Sequence, residues 1–109
     1  MILQYDSDND YLFIENNQII GECSLSFKEN LYIEWIEIYE PFRKMGYLKE
    51  MFSILLKEFK TDTLEFYSKY ELVNMYKHLG STITKVIDQK GSADMIFQKQ
   101  KRKTGGDYK

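Results

Sequence analysis

The stretch of this chain best suited to chemistry runs from residue 36 to residue 48 and reads Ile-Glu-Ile-Tyr-Glu-Pro-Phe-Arg-Lys-Met-Gly-Tyr-Leu. An alternating strand gives way to Pro41, then to a basic turn with one glycine, then to an apolar helix. Such a turn suits a phosphate. Backbone N–H groups at a helix start lack intrahelical partners, and the helix dipole is positive there. Gly46 permits close approach of an anion, and Arg43, Lys44 and Lys49 add charge. The spacing is not that of a P-loop, and the glycines of a dinucleotide fingerprint are lacking. The same residues also fit an ordinary helix start with a solvated basic first turn.

The surrounding pattern supplies the elements that must position this turn. Tyr11 to Ile14, a turn at Asn16-Asn17, and Ile19 to Phe27 with Cys23, Leu25 and Phe27 alternating read as a β-hairpin. A third strand covers Leu31 to Tyr39. Ile33 and Trp35 share one parity there and Ile36 and Ile38 the other, so its apolar face switches. One extra residue, a β-bulge, produces such a switch, and so does a strand buried on both faces. Leu48, Met51, Phe52, Leu55, Leu56 and Phe59 then mark one face of a helix. Thr63 to Tyr67 reads as a short strand. A second helix runs from Lys69 to Leu79 with Leu72, Met75, Tyr76 and Leu79 inward, stopped by Gly80. Thr82 to Ile87 and Ala93 to Lys99 form a last hairpin, and Ile2 to Tyr5 a weak first strand. The order is ββββ-α-β-α-ββ.

A length of 109 residues with 43% hydrophobic and 16% aromatic content predicts one folded domain over residues 1–100. Residues 101–109 lack apolar periodicity and are expected to be a disordered tail; their last five residues resemble a linker and the start of an epitope tag. No apolar run of membrane-spanning length and no secretory signal pattern is present, which predicts a cytoplasmic protein. One cysteine and one histidine exclude a disulfide scaffold and a zinc tetrad. Cys23 is read as core; Met45, Met51 and Met75 as core, with the lining of a cofactor arm as the alternative; His78 as solvent-facing; and Trp35 as a packed aromatic of a central strand, with part of a substrate wall as the alternative. Up to residue 40, nine acidic residues stand against Lys28 alone, which suggests a cationic partner for the front half. Direct nucleic-acid binding is not expected, because the basic residues are spread without interleaved aromatics.

With the strand, Pro41-Phe42-Arg43-x-x-Gly46-x-Leu48 and the apolar helix in place, the chain resembles the GNAT-type N-acetyltransferases, whose acetyl-CoA-binding motif is Arg/Gln-x-x-Gly-x-Gly/Ala. Tyr76-Lys77-His78-Leu79-Gly80-Ser81 is similar to the family's Tyr-x-x-x-Gly-Phe segment. The resemblance covers about Ile19 to Lys99. It implies an α/β fold with a mixed, mostly antiparallel sheet and two helices, and acetyl-CoA as cofactor. It implies that the amides of Lys44, Met45, Gly46, Tyr47 and Leu48 hold the pyrophosphate beside Arg43, that Ile36 and Ile38 pair with the pantetheine arm, and that Tyr76 is the general acid. Lys69 stands where the family often has Asn. A carboxylate near the bulge would take the amine's proton, with Glu34 as first candidate and Glu37 as second; both also fit the solvent side of an alternating strand.

Departures from the family pattern shape the functional expectation. Leu48 replaces a small residue and would crowd the pyrophosphate or shift the loop; Leu72 stands in place of Ala and Ser81 in place of Phe. Only about five residues separate the first two strands, so the family's first helical pair is expected to be absent and the acceptor site open. An open acidic side points to a lysine on a basic protein. Similar members lacking those helices include phage anti-CRISPR acetyltransferases, which modify a lysine of a host nuclease. The alternative expectation is a catalytically inactive GNAT-derived module that occupies a partner through its acidic face. Both a monomer and a homodimer fit the sequence.

Overall fold

A computed structural model describes residues 1–99. Seven strands form one sheet in the order β1-β2-β3-β4-β5-β7-β6. They are β1 (Ile2–Ser7), β2 (Asp10–Glu15), β3 (Gln18–Phe27), β4 (Leu31–Ile38), β5 (Thr63–Ser68), β6 (Thr82–Val86) and β7 (Ala93–Gln98), with α1 (Tyr47–Glu58) after β4 and α2 (Tyr70–His78) after β5. All neighbours are antiparallel except β4 and β5, which α1 joins as a crossover. The predicted mixed α/β order is therefore observed. The expectation for residues 101–109 lies outside the described residues. No helix among the described residues is long and apolar enough to cross a membrane.

Local chemistry sets the turns. Asn16 and Asn17 both have positive φ, 52° and 63°, as a two-residue hairpin requires, and asparagine tolerates that region. The Asp88 carboxylate accepts three backbone N–H bonds, from Lys90, Gly91 and Ser92, each at 3.0 Å, and so shapes the β6–β7 loop. After α2, Gly80 adopts φ 106° and Ser81 N–H returns to Tyr76 O at 3.0 Å, which closes the helix in a Schellman-type stop.

Both helices pack on the same face of the sheet. Phe52 of α1 joins them: its ring lies 5.3 Å from Phe66 on β5, 5.2 Å from Phe97 on β7 and 6.1 Å from Tyr76 on α2. Around it sit Phe13, Ile20, Cys23, Leu25, Met51, Leu55, Leu64 and Met95, each no more than 1% exposed. Truncating a ring at this junction, Phe52→Ala, costs about 3–5 kcal/mol by the usual cavity rule. The opposite face has no helix over it among the described residues, because β1 and β2 are joined by a tight turn at Asp8 and Asn9.

Several burial expectations need correction. In α2 the buried residues are Val73 and Tyr76, while Leu72 and Met75 are 42% and 41% exposed. In so short a helix the apolar stripe 72-75-76-79 and the stripe 73-76 differ by one rotation step, and the contacts of Tyr76 select the second. Met45 is exposed in the loop before α1, whereas Met51 is core as expected. Trp35 is exposed, for a reason that lies in the bulge.

Candidate active site

The parity switch in β4 is a bulge. Leu25 pairs with Ile33 and Ser24 with Trp35, so Glu34 is the extra residue. Two consecutive residues, Glu34 and Trp35, are thereby turned to the uncovered face, and Ile36 and Ile38 return to the helix-bearing face. A central-strand aromatic is expected to pack, and Trp35 does not. The bulge falls one residue before it and puts it outside.

Pairing between β4 and β5 stops at the same place. The two strands are in register at Leu31 with Leu64, Tyr32 with Glu65 and Ile33 with Phe66, and no further. Beyond that, β5 stays paired with β7 through Tyr67 and Ser68, and β4 stays paired with β3 through Ile36, Glu37 and Ile38. A gap therefore opens between β4 and β5. Backbone alternation fixes which groups face it. Tyr39 N–H bonds to Ile20 O on the β3 side at 2.9 Å, so the Ile38 carbonyl points the other way, and the N–H and C=O groups of Ile36 share its direction.

The loop at the end of β4 carries two backbone positions in the left-handed region, Lys44 at φ 64° and Gly46 at φ 80°. Gly46 is the residue just before α1, and a Cβ built there would meet nothing within 4 Å, so the space in front of it is open. Lys44, Met45 and Gly46 are exposed; Tyr47 and Leu48 are half-buried and pack on the core. Arg43 does more than add charge. Its Nε donates to the Ile38 carbonyl at 2.7 Å, and its guanidinium lies 3.7 Å from the Glu37 carboxylate, which ties the loop to the gap-facing end of β4.

Of the candidate acid–base residues, Glu34 is exposed on the bulge and accepts a 2.6 Å bond from Ser26 Oγ. Glu37 is exposed and held by Arg43. Tyr76 lies on the other side of the sheet, 8% exposed, its ring 4.6 Å from that of Phe66, and burial pushes its pKa above the ordinary value. Lys69 is exposed at the start of α2, where its carbonyl accepts Leu72 N–H and Ser68 Oγ. Cys23 is fully buried, and burial pushes its thiol pKa up to about 12, which excludes a nucleophile at neutral pH. His78 is exposed, with Nδ1 2.7 Å from the Asn74 carbonyl oxygen.

Three supporting residues went unseen in the sequence. Gly21 lies directly against β4: a Cβ there would stand 2.4 Å from Glu37 O and 3.3 Å from Ile38 Cα, so only glycine lets β3 approach the gap-lining strand. The Tyr39 hydroxyl donates to the Glu22 carboxylate, which pushes the phenol up to about 12 and anchors the start of the loop. Ser92 Oγ accepts Tyr70 N–H at the start of α2. A glycine inside an otherwise β-prone run was the one available signal. A separate cavity of about 440 Å³ lies away from the bulge, along α1 from Lys49 to Lys60 and beside Gly80 and Lys99.

Solved structures share this fold. A protein from Bacillus anthracis assigned as a streptothricin acetyltransferase, solved with acetyl coenzyme A, superimposes with TM-score 0.62 at 19% identity over 84% of this chain and 63% of its own. A Bacillus subtilis acetyltransferase in complex with CoA gives 0.56 at 16% identity over 84% and 76%. The ribosomal-protein-S18-alanine N-acetyltransferase of Escherichia coli gives 0.58 at 13% identity over 85% and 71%. The chain thus spans under two thirds of the length of the first of these. No family model and no curated protein sequence matches the chain. The split between β4 and β5, the bulge at Glu34 and the loop at Gly46 stand on the fold of the GNAT N-acetyltransferases.

Proposed function

We propose that the protein transfers an acetyl group from acetyl-CoA to a primary amine, a lysine side chain carried on a protein. One observation carries this reading: β4 parts from β5 at the bulge and ends in an open, glycine-started helix loop, so an extended thioester-bearing arm and its phosphates meet gap-facing backbone of Ile36 and Ile38 that β5 does not pair, with the Ile38 carbonyl held by Arg43. Acetyl-CoA supplies the activated acetyl group. The amides of Lys44 to Leu48 would hold its pyrophosphate, and the gap-facing backbone of Ile36 and Ile38 would hold the arm and donate to the developing oxyanion.

The proton movements divide between the two faces of the sheet. Glu34, exposed and held by Ser26, takes a proton from the incoming ammonium directly or through water, so that the amine can attack. Glu37 is the second candidate, its exposed carboxylate 3.7 Å from the Arg43 guanidinium. The C–N bond forms as the C–S bond breaks, the Tyr76 phenol protonates the leaving sulfur, and the second proton that the nitrogen loses on becoming an amide passes to solvent, from which the phenol is restored. Its raised pKa keeps the phenol proton in place at neutral pH. A lysine on a host defence nuclease is one instance of the acceptor class.

The first test is a thermal shift and calorimetric titration with acetyl-CoA, with Gly46→Glu as control. Ligand binding to the folded state raises the melting temperature by mass action. Stabilisation that Gly46→Glu abolishes supports the site. No response at millimolar ligand overturns it.

A further inference from the structure

The sheet face opposite the two helices is uncovered, and its composition is specific. Strand register places Ser26, Tyr32, Glu65 and Ile96 in one row across β3, β4, β5 and β7. Trp35 and Tyr67 project from the same face, 44% and 47% exposed, beside the bulge. Carboxylates surround these rings. Glu65 lies beside Tyr32 in the β4–β5 register and Asp94 beside Tyr67 in the β5–β7 register, Glu34 precedes Trp35, and Glu22 and Glu37 sit opposite one another on β3 and β4. The positive groups beside them are Lys28, whose ammonium lies 4.8 Å over the Tyr32 ring, Lys85 on β6, which pairs with Asp94 on β7, and Arg43, whose guanidinium lies 3.7 Å from Glu37. Lys28 shows on this molecule what these rings accept: a cation over an aromatic face, with carboxylates within reach.

We infer that this face docks an extended polypeptide segment rich in lysine and arginine, which leads its acceptor lysine to Glu34. The inference rests on the acetyl-transfer reading for the lysine's fate, but not for the binding itself. Two features select this occupant. Five carboxylates against two ammonium groups and the Arg43 guanidinium leave a net negative face, which repels anionic partners and attracts cationic ones. The exposed aromatic rings give guanidinium and ammonium groups stacking partners. The patch is also continuous with the bulge, where the β4–β5 gap opens.

Trp35 is the one tryptophan of the sequence, so its emission reports on this face directly. The probe is a blocked peptide with one lysine between paired arginines, titrated without acetyl-CoA. The expected result is a saturable change in Trp35 emission that weakens at high salt and that a glutamate-flanked peptide does not produce. The double variant Glu65→Gln/Asp94→Asn, which keeps both side-chain shapes, is expected to weaken binding about fivefold. Should that variant melt early, the salt dependence of the unaltered protein decides in its place. No change in emission at millimolar basic peptide, or an equal change with the acidic peptide, overturns the inference. Concentration-dependent dimerisation that itself buries Trp35 also overturns it, by showing a second copy as the occupant. A protein stabilised by acetyl-CoA yet blind to the basic peptide refutes docking alone. One that binds the peptide and ignores acetyl-CoA refutes only the catalytic reading.

Discussion

Ile33 is the last residue of β4 to pair with β5, and its partner Phe66 is the residue whose ring packs on Tyr76 at 4.6 Å. The point where the sheet opens is thus coupled to the proposed proton donor on the helix side. Glu34, the next residue along, faces the other side. A donor and an acceptor of protons therefore flank one opening from opposite faces, which suits a reaction in which one partner arrives from each.

Tyr76→Phe is expected to keep the fold, because the ring supplies the contacts with Phe52 and Phe66 and the hydroxyl makes no hydrogen bond among the described residues. Loss of the general acid lowers turnover by about 10²-fold or more with acetyl-CoA affinity unchanged. Single-turnover kinetics beside calorimetry checks this; unchanged turnover would remove Tyr76 from the reaction.

Glu34→Gln keeps an acceptor for Ser26 but cannot take up a proton at neutral pH. Turnover should fall by about 10²-fold at neutral pH and recover as pH approaches the lysine pKa near 10.4, where free amine is abundant. A pH–rate profile of the variant against the parent shows whether that recovery occurs.

Gly21→Ala places a methyl group 2.4 Å from a backbone oxygen of β4, which cannot swing aside as a side chain would. The strand must shift, at about 1–3 kcal/mol. Denaturant melts should show the loss, together with a weaker response to acetyl-CoA because the displaced strand is the one that lines the gap. Full retention of both would mean that β3 and β4 stand farther apart than described.

Cys23 sets an alkaline limit on stability. Its folded thiol is held near 12, well above the ordinary value of 9.0 in an exposed chain. Between those values the unfolded chain loses a proton that the folded chain retains, so stability is full below about pH 9 and falls by up to about 1.4 kcal/mol per pH unit until the folded thiol ionises. Cys23→Ala should flatten this slope despite its own cavity cost, and native Cys23 should resist alkylation at pH 8. Rapid alkylation of the folded protein would contradict its burial.

A mass-spectrometric search for acetylated lysines on candidate basic partners, including CRISPR nucleases, tests the acceptor class. An acetyl mass shift dependent on Tyr76 is expected on at least one. Absence of any across a broad panel would leave the lysine acceptor without support.

Much of this was legible before the structure. The order of elements along the chain, the helix after β4, the glycine-started loop and the alternation fault in β4 all leave marks in residue type and period. What escaped was whatever depends on rotation or on a distant partner. The bulge was visible as a parity change, but the residue at which it falls decides whether Trp35 is inside or out, and parity does not fix that. In α2, nine residues are too few for periodicity to separate Leu72 and Met75 from Val73. The engagement of Arg43 by the Ile38 carbonyl and the need for glycine at position 21 arise from contacts between segments that no local pattern encodes.

With both helices on one side, the sheet divides the molecule's freedom to vary. Residues facing Phe52 are bound by mutual packing, so each change there risks the fold. On the uncovered side, positions such as Ser24, Trp35, Tyr67 and Ile96 can change identity at small cost to stability. Partner choice is thereby separated from structural integrity, and a lineage of such proteins can follow a changing target by rewriting one surface while the interior stays constant.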